Sequence, residues 1–161
     1  MIDIIASGTT VLFLARQIQD TERLTVLSSS LTISIELAAL SNVEIIQLGG
    51  PVRKSSASTI GVAAQNMIQQ FSTNTLFLGV DGIDLNFGIS TTNQEVAELN
   101  KLMIKNTDRV VVLADSTKMN KKGFGRICDI EDIDIIITDD NTKPSYIHSL
   151  EERGIEVIVA S

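Results

Sequence analysis

Short runs of β-branched and apolar residues recur along the chain, separated by stretches whose hydrophobic positions follow a helical period. The runs are Ile2–Ala6, Leu24–Leu27, Val43–Leu48, Thr75–Val80, Val110–Leu113, Ile133–Thr138 and Glu156–Val159. Several are apolar almost throughout, as strands are when helices cover both faces of their sheet. Between them Val11, Leu14, Ala15 and Ile18 share one helical stripe, Leu31, Ile35 and Ala38 a second, and Val96, Leu99 and Met103 a third. A further helix is predicted around Gly61–Gln70. Another is predicted over Lys143–Arg153, with Pro144 early in it and Gly154 ending it. Strands alternating with helices define an α/β domain built around a largely parallel sheet with helices on both faces.

Such sheets bind ligands beyond the carboxyl ends of their strands, and there the polar residues gather. Ser7-Gly8-Thr9-Thr10 follows the first run and opens a helix, and Ser28-Ser29-Ser30 follows the second and opens another. The third run ends in Gly49-Gly50-Pro51, with Arg53, Lys54, Ser55 and Ser56 just beyond. The fourth ends in Asp81-Gly82-Ile83-Asp84 and the fifth in Asp115-Ser116-Thr117-Lys118. A glycine and hydroxyls at a helix start make a natural anion site, because free N–H groups point outward along the positive end of the helix dipole. Each cluster alone reads as helix capping. Together they favour an anion, with Arg53, Lys54 and Lys118 supplying cationic charge. Asp81 and Asp84 could accept hydrogen bonds from sugar hydroxyls or simply shape a turn. Glu95, one turn before an expected Glu98–Lys101 surface pair, could face the cleft.

Other chemistry is not encoded. His148 is the sole histidine and reads as solvated surface; Cys128 is followed by acidic residues, which disfavours a reactive thiolate. Gly123-Phe124-Gly125-Arg126 reads as a mobile flap or a turn. There is no Walker lysine loop, no dinucleotide fingerprint, no zinc spacing and no nucleophile–histidine pairing, so no cofactor or metal is expected.

The balance of charge narrows the class of partner. Among 161 residues, 13 basic against 20 acidic side chains give a net charge of −7, which disfavours direct contact with nucleic-acid backbones or anionic membranes. With 43% hydrophobic and 20% charged residues, the chain has the composition of a soluble globular domain. One cysteine points to a reducing compartment. No basic leader precedes the first apolar run, and no apolar segment reaches the roughly 18 residues a membrane helix needs. A cytoplasmic protein is expected.

The ordered set of motifs is more specific than any one of them. Ser-Gly-Thr-Thr, the serine cluster opening a helix, Leu-Gly-Gly with a basic residue soon after, Gly-Val-Asp-Gly-Ile-Asp, Ala-Asp-Ser-Thr-Lys, Ile-Thr-Asp-Asp and the final Glu-Val-Ile-Val-Ala follow one another from Ile4 to Ala160. In this order they resemble the effector-sensing domain of DeoR-type transcriptional repressors, bacterial regulators of sugar metabolism. The resemblance implies a fold like that of ribose-5-phosphate isomerases and CoA transferases, and a phosphorylated sugar as effector. On this sequence it implies that Ser7, Gly8, Thr9 and Thr10 cradle the phosphate with Ser28, Ser29 and Ser30 beside them. Gly49, Gly50, Arg53, Asp81, Gly82 and Lys118 would line the rest, with Glu95 reaching a sugar hydroxyl. It also implies a homo-oligomer that reaches DNA through a winged helix-turn-helix ahead of this domain. Here the first strand begins at Ile2, so residues 1–161 are read as the sensing domain alone, either a fragment or a natural lone domain.

The isomerase relatives carry a Lys-Gly-Gly-Gly segment and a catalytic acid where this chain has Leu85-Asn86-Phe87-Gly88-Ile89-Ser90-Thr91-Thr92. The lysine is missing and one glycine remains. The leading expectation is therefore a non-catalytic sensor. An isomerase-like enzyme using Asp81, Asp84 and Glu95 is the alternative, and an interaction module with an idle pocket ranks third.

Overall fold

A computed structural model describes residues 1–19 and 23–161. All seven predicted runs become strands: β1 (Ile2–Ile5), β2 (Leu24–Ser28), β3 (Val43–Gln47), β6 (Thr73–Gly79), β9 (Thr107–Leu113), β11 (Ile135–Asp139) and β12 (Glu156–Ala160). They form one sheet in the order β12-β11-β9-β6-β1-β2-β3, and every pairing in it is parallel. The helices are α1 (Thr9–Arg16), α2 (Leu31–Ala38), α3 (Val62–Ile68), α4 (Gln94–Lys105) and α5 (Pro144–Glu152). The strand predicted from Ile133 starts two residues later, because Ile133 closes a short 3₁₀ turn over Ile130–Asp132, its amide donating to the Ile130 carbonyl at 3.2 Å.

Strand side chains alternate between the two faces, and this sorts the core into two layers. Ile5, Val26, Val111, Leu113 and Ile135 pack with Val11, Ala15, Ile33 and Leu37 of α1 and α2. Their neighbours Ile4, Leu27, Val110, Val112 and Ile136 pack on the other face with Ala64 and Ile68 of α3, Ala97, Leu99 and Met103 of α4, and Leu150 of α5. Burial on both faces accounts for the near-continuous apolar runs.

Five further strands among the described residues lie outside the main sheet. β4 (Val52–Arg53) and β5 (Ser58–Thr59) form a small antiparallel hairpin after β3. β7 (Gly82–Asp84), β8 (Gly88–Thr91) and β10 (Gly125–Cys128) form a three-stranded antiparallel sheet in the order β10-β8-β7. The segment read as a flap or turn thus enters β10, with Gly125 opposite Thr91. The Gly123 amide donates to Ser90 Oγ at 2.7 Å, pinning the approach to that strand.

The order of the main sheet has one topological reversal. From β1 the chain builds outward to β2 and β3, then crosses back to place β6 on the other side of β1. Between β1 and β6 the connecting loops diverge to opposite sides, leaving a crevice at the carboxyl ends of those two strands. Among the described residues no helix is long and apolar enough to cross a membrane.

Candidate functional site

That crevice holds a cleft of about 540 Å³. Its floor is the turn from β1 into α1, with Ser7, Gly8, Thr9 and Thr10, facing Gly79, Val80 and Asp81 from the end of β6. Arg53 and Ser56 of the β4–β5 hairpin close one flank. Asp115 and Lys118 close the other, and Thr91 at the end of β8, Thr92 just after it and Val96 in the first turn of α4 complete it, with Phe13 one turn into α1.

The start of α1 is open. Gly8 occupies the cap position at φ +143°, a conformation that side-chain-bearing residues avoid, and no side chain caps the helix. The first intrahelical bond runs from the Leu12 amide to the Gly8 carbonyl at 3.0 Å. The amides of Thr9 and Thr10 before it have no partner within the helix and lie at the cleft. Neither Arg53 nor Lys118 is held in an ion pair among the described residues.

Two aspartates bracket Lys118. Asp115 caps the 3₁₀ turn Ser116–Lys118, its Oδ1 accepting from the Thr117 amide at 2.8 Å and from the Thr117 hydroxyl. Asp139, at the end of β11, accepts from the Ser116 amide at 3.0 Å and the Asn141 amide at 2.9 Å. The Ser116 bond holds its carboxyl below the usual carboxylate range. The lysine turn is thereby tied to the neighbouring strand. Asp81 is half-engaged: Oδ2 accepts from Thr91 Oγ1 at 2.8 Å and the Thr92 amide at 3.1 Å, leaving Oδ1 for another donor.

Of the residues singled out in the sequence, Ser7, Gly8, Thr9, Thr10, Arg53, Asp81 and Lys118 meet in this one cleft. The serine cluster does not join them. Ser28 is fully buried and donates to the Ile5 carbonyl at 2.5 Å, the Ser29 carbonyl accepts from the Thr59 amide at 2.8 Å, and Ser30 caps α2 through the Ile33 amide at 3.2 Å. Ser30 also edges a smaller adjoining recess of about 290 Å³ with Gly8, Thr9 and Ser56. Gly49 and Gly50 form the exposed turn into Pro51, outside the cleft. Gly82 is a packing residue: a Cβ there would sit 2.5 Å from the Lys121 carbonyl oxygen and 2.6 Å from Ser90 Oγ. Glu95 is exposed on the first turn of α4 and does not line the cleft.

Asp84 is spent on a turn, accepting from the amides of Asn86 at 3.0 Å and Phe87 at 2.6 Å. The Phe87 bond leads in pulling its carboxyl below the ordinary value. Lys54 is exposed away from the cleft, and Glu98 and Lys101 form the expected surface pair at 3.0 Å. His148 is exposed and meets Glu152 at 2.9 Å. Burial pushes the Cys128 thiol up to about 12, so it is inert near neutrality. No cluster of His, Cys, Asp or Glu among the described residues is arranged to hold a metal. Phe13, Thr91, Thr92 and Val96 line the cleft although the sequence does not assign them to it, and Ser56 and Asp115 stand out in the sequence only among the polar residues at strand ends. Phe13 carries a local signal, as a large apolar residue off the buried stripe of its helix.

The fold and cleft define an α/β domain with an open crevice at the switch point of a parallel sheet, and comparison with known proteins makes the family specific. The family model of the DeoR C terminal sensor domain matches residues 2–140. The chain belongs to that family. It is 34% identical to a protein of Escherichia coli O157:H7 named as a transcriptional repressor of the aga operon, over 97% of this chain and 58% of that one. It is 32% identical to the uncharacterized HTH-type transcriptional regulator YulB of Bacillus subtilis, over 96% and 59%. It is 31% identical to the HTH-type transcriptional regulator GolR of Listeria innocua, over 98% and 62%. The chain thus spans about three-fifths of the length of these curated relatives.

Among solved structures, eIF2B beta of Chaetomium thermophilum aligns with a TM-score of 0.50 at 12% identity, over 84% of this chain and 42% of that one. The likeness is one of fold. Ribose 5-phosphate isomerase of Plasmodium falciparum aligns over 78% and 47%, with a TM-score of 0.48 at 15% identity.

Proposed function

We propose that this chain is the effector-sensing part of a helix-turn-helix transcriptional regulator and that its effector is a phosphorylated sugar seated in the cleft. The observation that carries the reading is the uncapped start of α1, open between the unpaired cations Arg53 and Lys118. A phosphate there accepts from the Thr9 and Thr10 amides and the nearby hydroxyls, while Asp81 Oδ1 takes a sugar hydroxyl. Contact with an operator belongs to a helix-turn-helix segment outside this chain, and the working unit is a homo-oligomer. The effector acts by binding one state of that assembly more tightly than the other.

An isomerase-like reading would need Asp81, Asp84 and Glu95 to move protons. Asp84 is committed to two amides and Glu95 lies outside the cleft, which supports a sensor over an enzyme. The test is a thermal-shift panel of sugar phosphates, with the free sugars and inorganic phosphate as controls. An effector at 100 times its Kd stabilises the native state by about 2.7 kcal/mol, a rise of roughly 5–10 °C for a domain of this size. If no phosphorylated sugar raises the melting temperature above its controls, the reading fails.

A further inference from the structure

Phe13 sits oddly for a phenylalanine. It is 59% exposed, off the stripe of α1 that carries the buried Val11 and Ala15, and it forms part of the cleft wall. An aromatic this exposed gains little from folding. Nor is it loose: the Arg16 guanidinium lies over its ring at 6.0 Å from the centroid and is itself paired with Glu36 of α2 at 3.2 Å. Val80 and Val96 line the same cleft, so its polar groups are accompanied by apolar surface.

The spacing along α1 relates that side to the anion end. Thr9 and Phe13 are four residues apart and share a helix face, about 6 Å apart along the axis. Helical side chains lean toward the N-terminus, which carries the Phe13 ring back over the turn that presents the Thr9 and Thr10 amides. A phosphate on those amides therefore leaves the carbon skeleton one or two bonds away beside the ring. The C–H face of a sugar ring is flat and apolar and fits an aromatic surface. An open-chain polyol offers no such face and must freeze several rotors to imitate one.

We infer that Phe13 is the platform for the ring face of a cyclic sugar phosphate, and that the cleft selects ring forms over open-chain polyol phosphates. This rests on the sugar-phosphate reading above and adds the form of the sugar to it. Phe13 is a specificity residue, because it touches the skeleton rather than the phosphate.

The experiment is isothermal titration of wild type, Phe13→Ala and Phe13→Tyr with glucose 6-phosphate, galactose 6-phosphate, mannose 6-phosphate and fructose 6-phosphate. Each is run beside the hexitol 6-phosphate made by reducing it, both C2 epimers in the case of fructose 6-phosphate, with inorganic phosphate as a further probe. In wild type the ring form that binds is expected to exceed its hexitol by about tenfold, the factor that roughly 50 Å² of newly covered apolar surface supplies. Phe13→Ala is expected to abolish that gap, Phe13→Tyr to keep it, and inorganic phosphate to bind all three proteins alike. Ring exposure makes both variants foldable, which their melting curves verify. Equal binding of ring and hexitol forms, or a gap that survives Phe13→Ala, overturns the platform and leaves the sugar-phosphate site standing. Binding of none of these phosphates overturns both.

Discussion

Helices α1 and α2 lie on the same face of the sheet and start from similar material, a cluster of small hydroxyl residues after a buried strand. Their first turns are used in opposite ways. At α2 the donors are consumed internally: the Leu31 amide goes to the Ala57 carbonyl at 2.9 Å, the Ile33 amide to Ser30 Oγ, and the Ser30 amide to Ser28 Oγ at 3.0 Å. At α1 a glycine replaces the capping side chain and the donors remain turned to the cleft. A capped start contributes stability, whereas an open one with glycine forgoes a few tenths of a kcal/mol of it and keeps its dipole available to an anion. Composition does not separate the two cases; what lies opposite each helix start does.

Proline at the first helical position tests this most severely, because it fits there sterically while deleting one amide. Thr9→Pro is expected to weaken sugar-phosphate binding by about 2 kcal/mol, the scale of a hydrogen bond to a charged group, with little change in melting temperature. Leu31→Pro is expected to do the reverse. It strands the Ala57 carbonyl, costs about 1–3 kcal/mol of stability, and leaves phosphate affinity unchanged in the folded protein. Titration and thermal melts of the pair decide the matter, and matching phenotypes would abolish the distinction. A gentler version is Ser30→Ala, which removes only the cap. A loss of about 1 kcal/mol, or roughly 3 °C in Tm, is expected without any effect on binding. The smallest effect concerns Asp139 at the lysine turn. A carboxyl held low in the folded state contributes stability above about pH 4, and that contribution is lost as pH falls through its folded value. Melts of Asp139→Asn between about pH 5 and pH 2 should therefore decline less steeply than wild type. An unchanged acid limb would remove Asp139 from the support of Lys118.

The parallel sheet was legible because both faces of its strands are buried, so Val110–Leu113 or Ile135–Thr138 carries its signal in every residue. The short antiparallel strands were not. Gly82–Asp84 and Gly88–Thr91 have weak strand propensity and exist because Gly82, Ile83 and Asp84 find Ser90, Ile89 and Gly88 across a tight turn. Half of the candidate site was legible too: the hydroxyl-glycine turn, Arg53, Asp81 and Lys118 converge as their positions after strands suggest. Ser28, Ser29 and Ser30 stay out of the cleft for separate reasons: Ser28 is tied to the Ile5 carbonyl of the neighbouring strand, Ser30 is spent on the cap of α2, and the Ser29 carbonyl takes Thr59, which arrives thirty residues later from the β4–β5 hairpin. Glu95 stays outside because the first turn of α4 brings Val96 to the cleft instead. Gly82 belonged to packing that no spacing displays.

The reversal between β1 and β6 also bears on the life of the chain during synthesis. Every neighbour in the main sheet is reached by a crossover, and Asp3 meets Thr75 only after the whole β2–β3 wing has been made. The cleft then waits for the turn that follows β9, since one flank is Lys118 and the floor begins at Ser7. No nascent or clipped chain ending before that turn possesses both flanks. Closing such distant contacts is slow, because chain entropy is lost before they form. A cleft with both flanks in place therefore certifies a chain made and folded through at least β9, the fifth strand of the main sheet, and the turn beyond it.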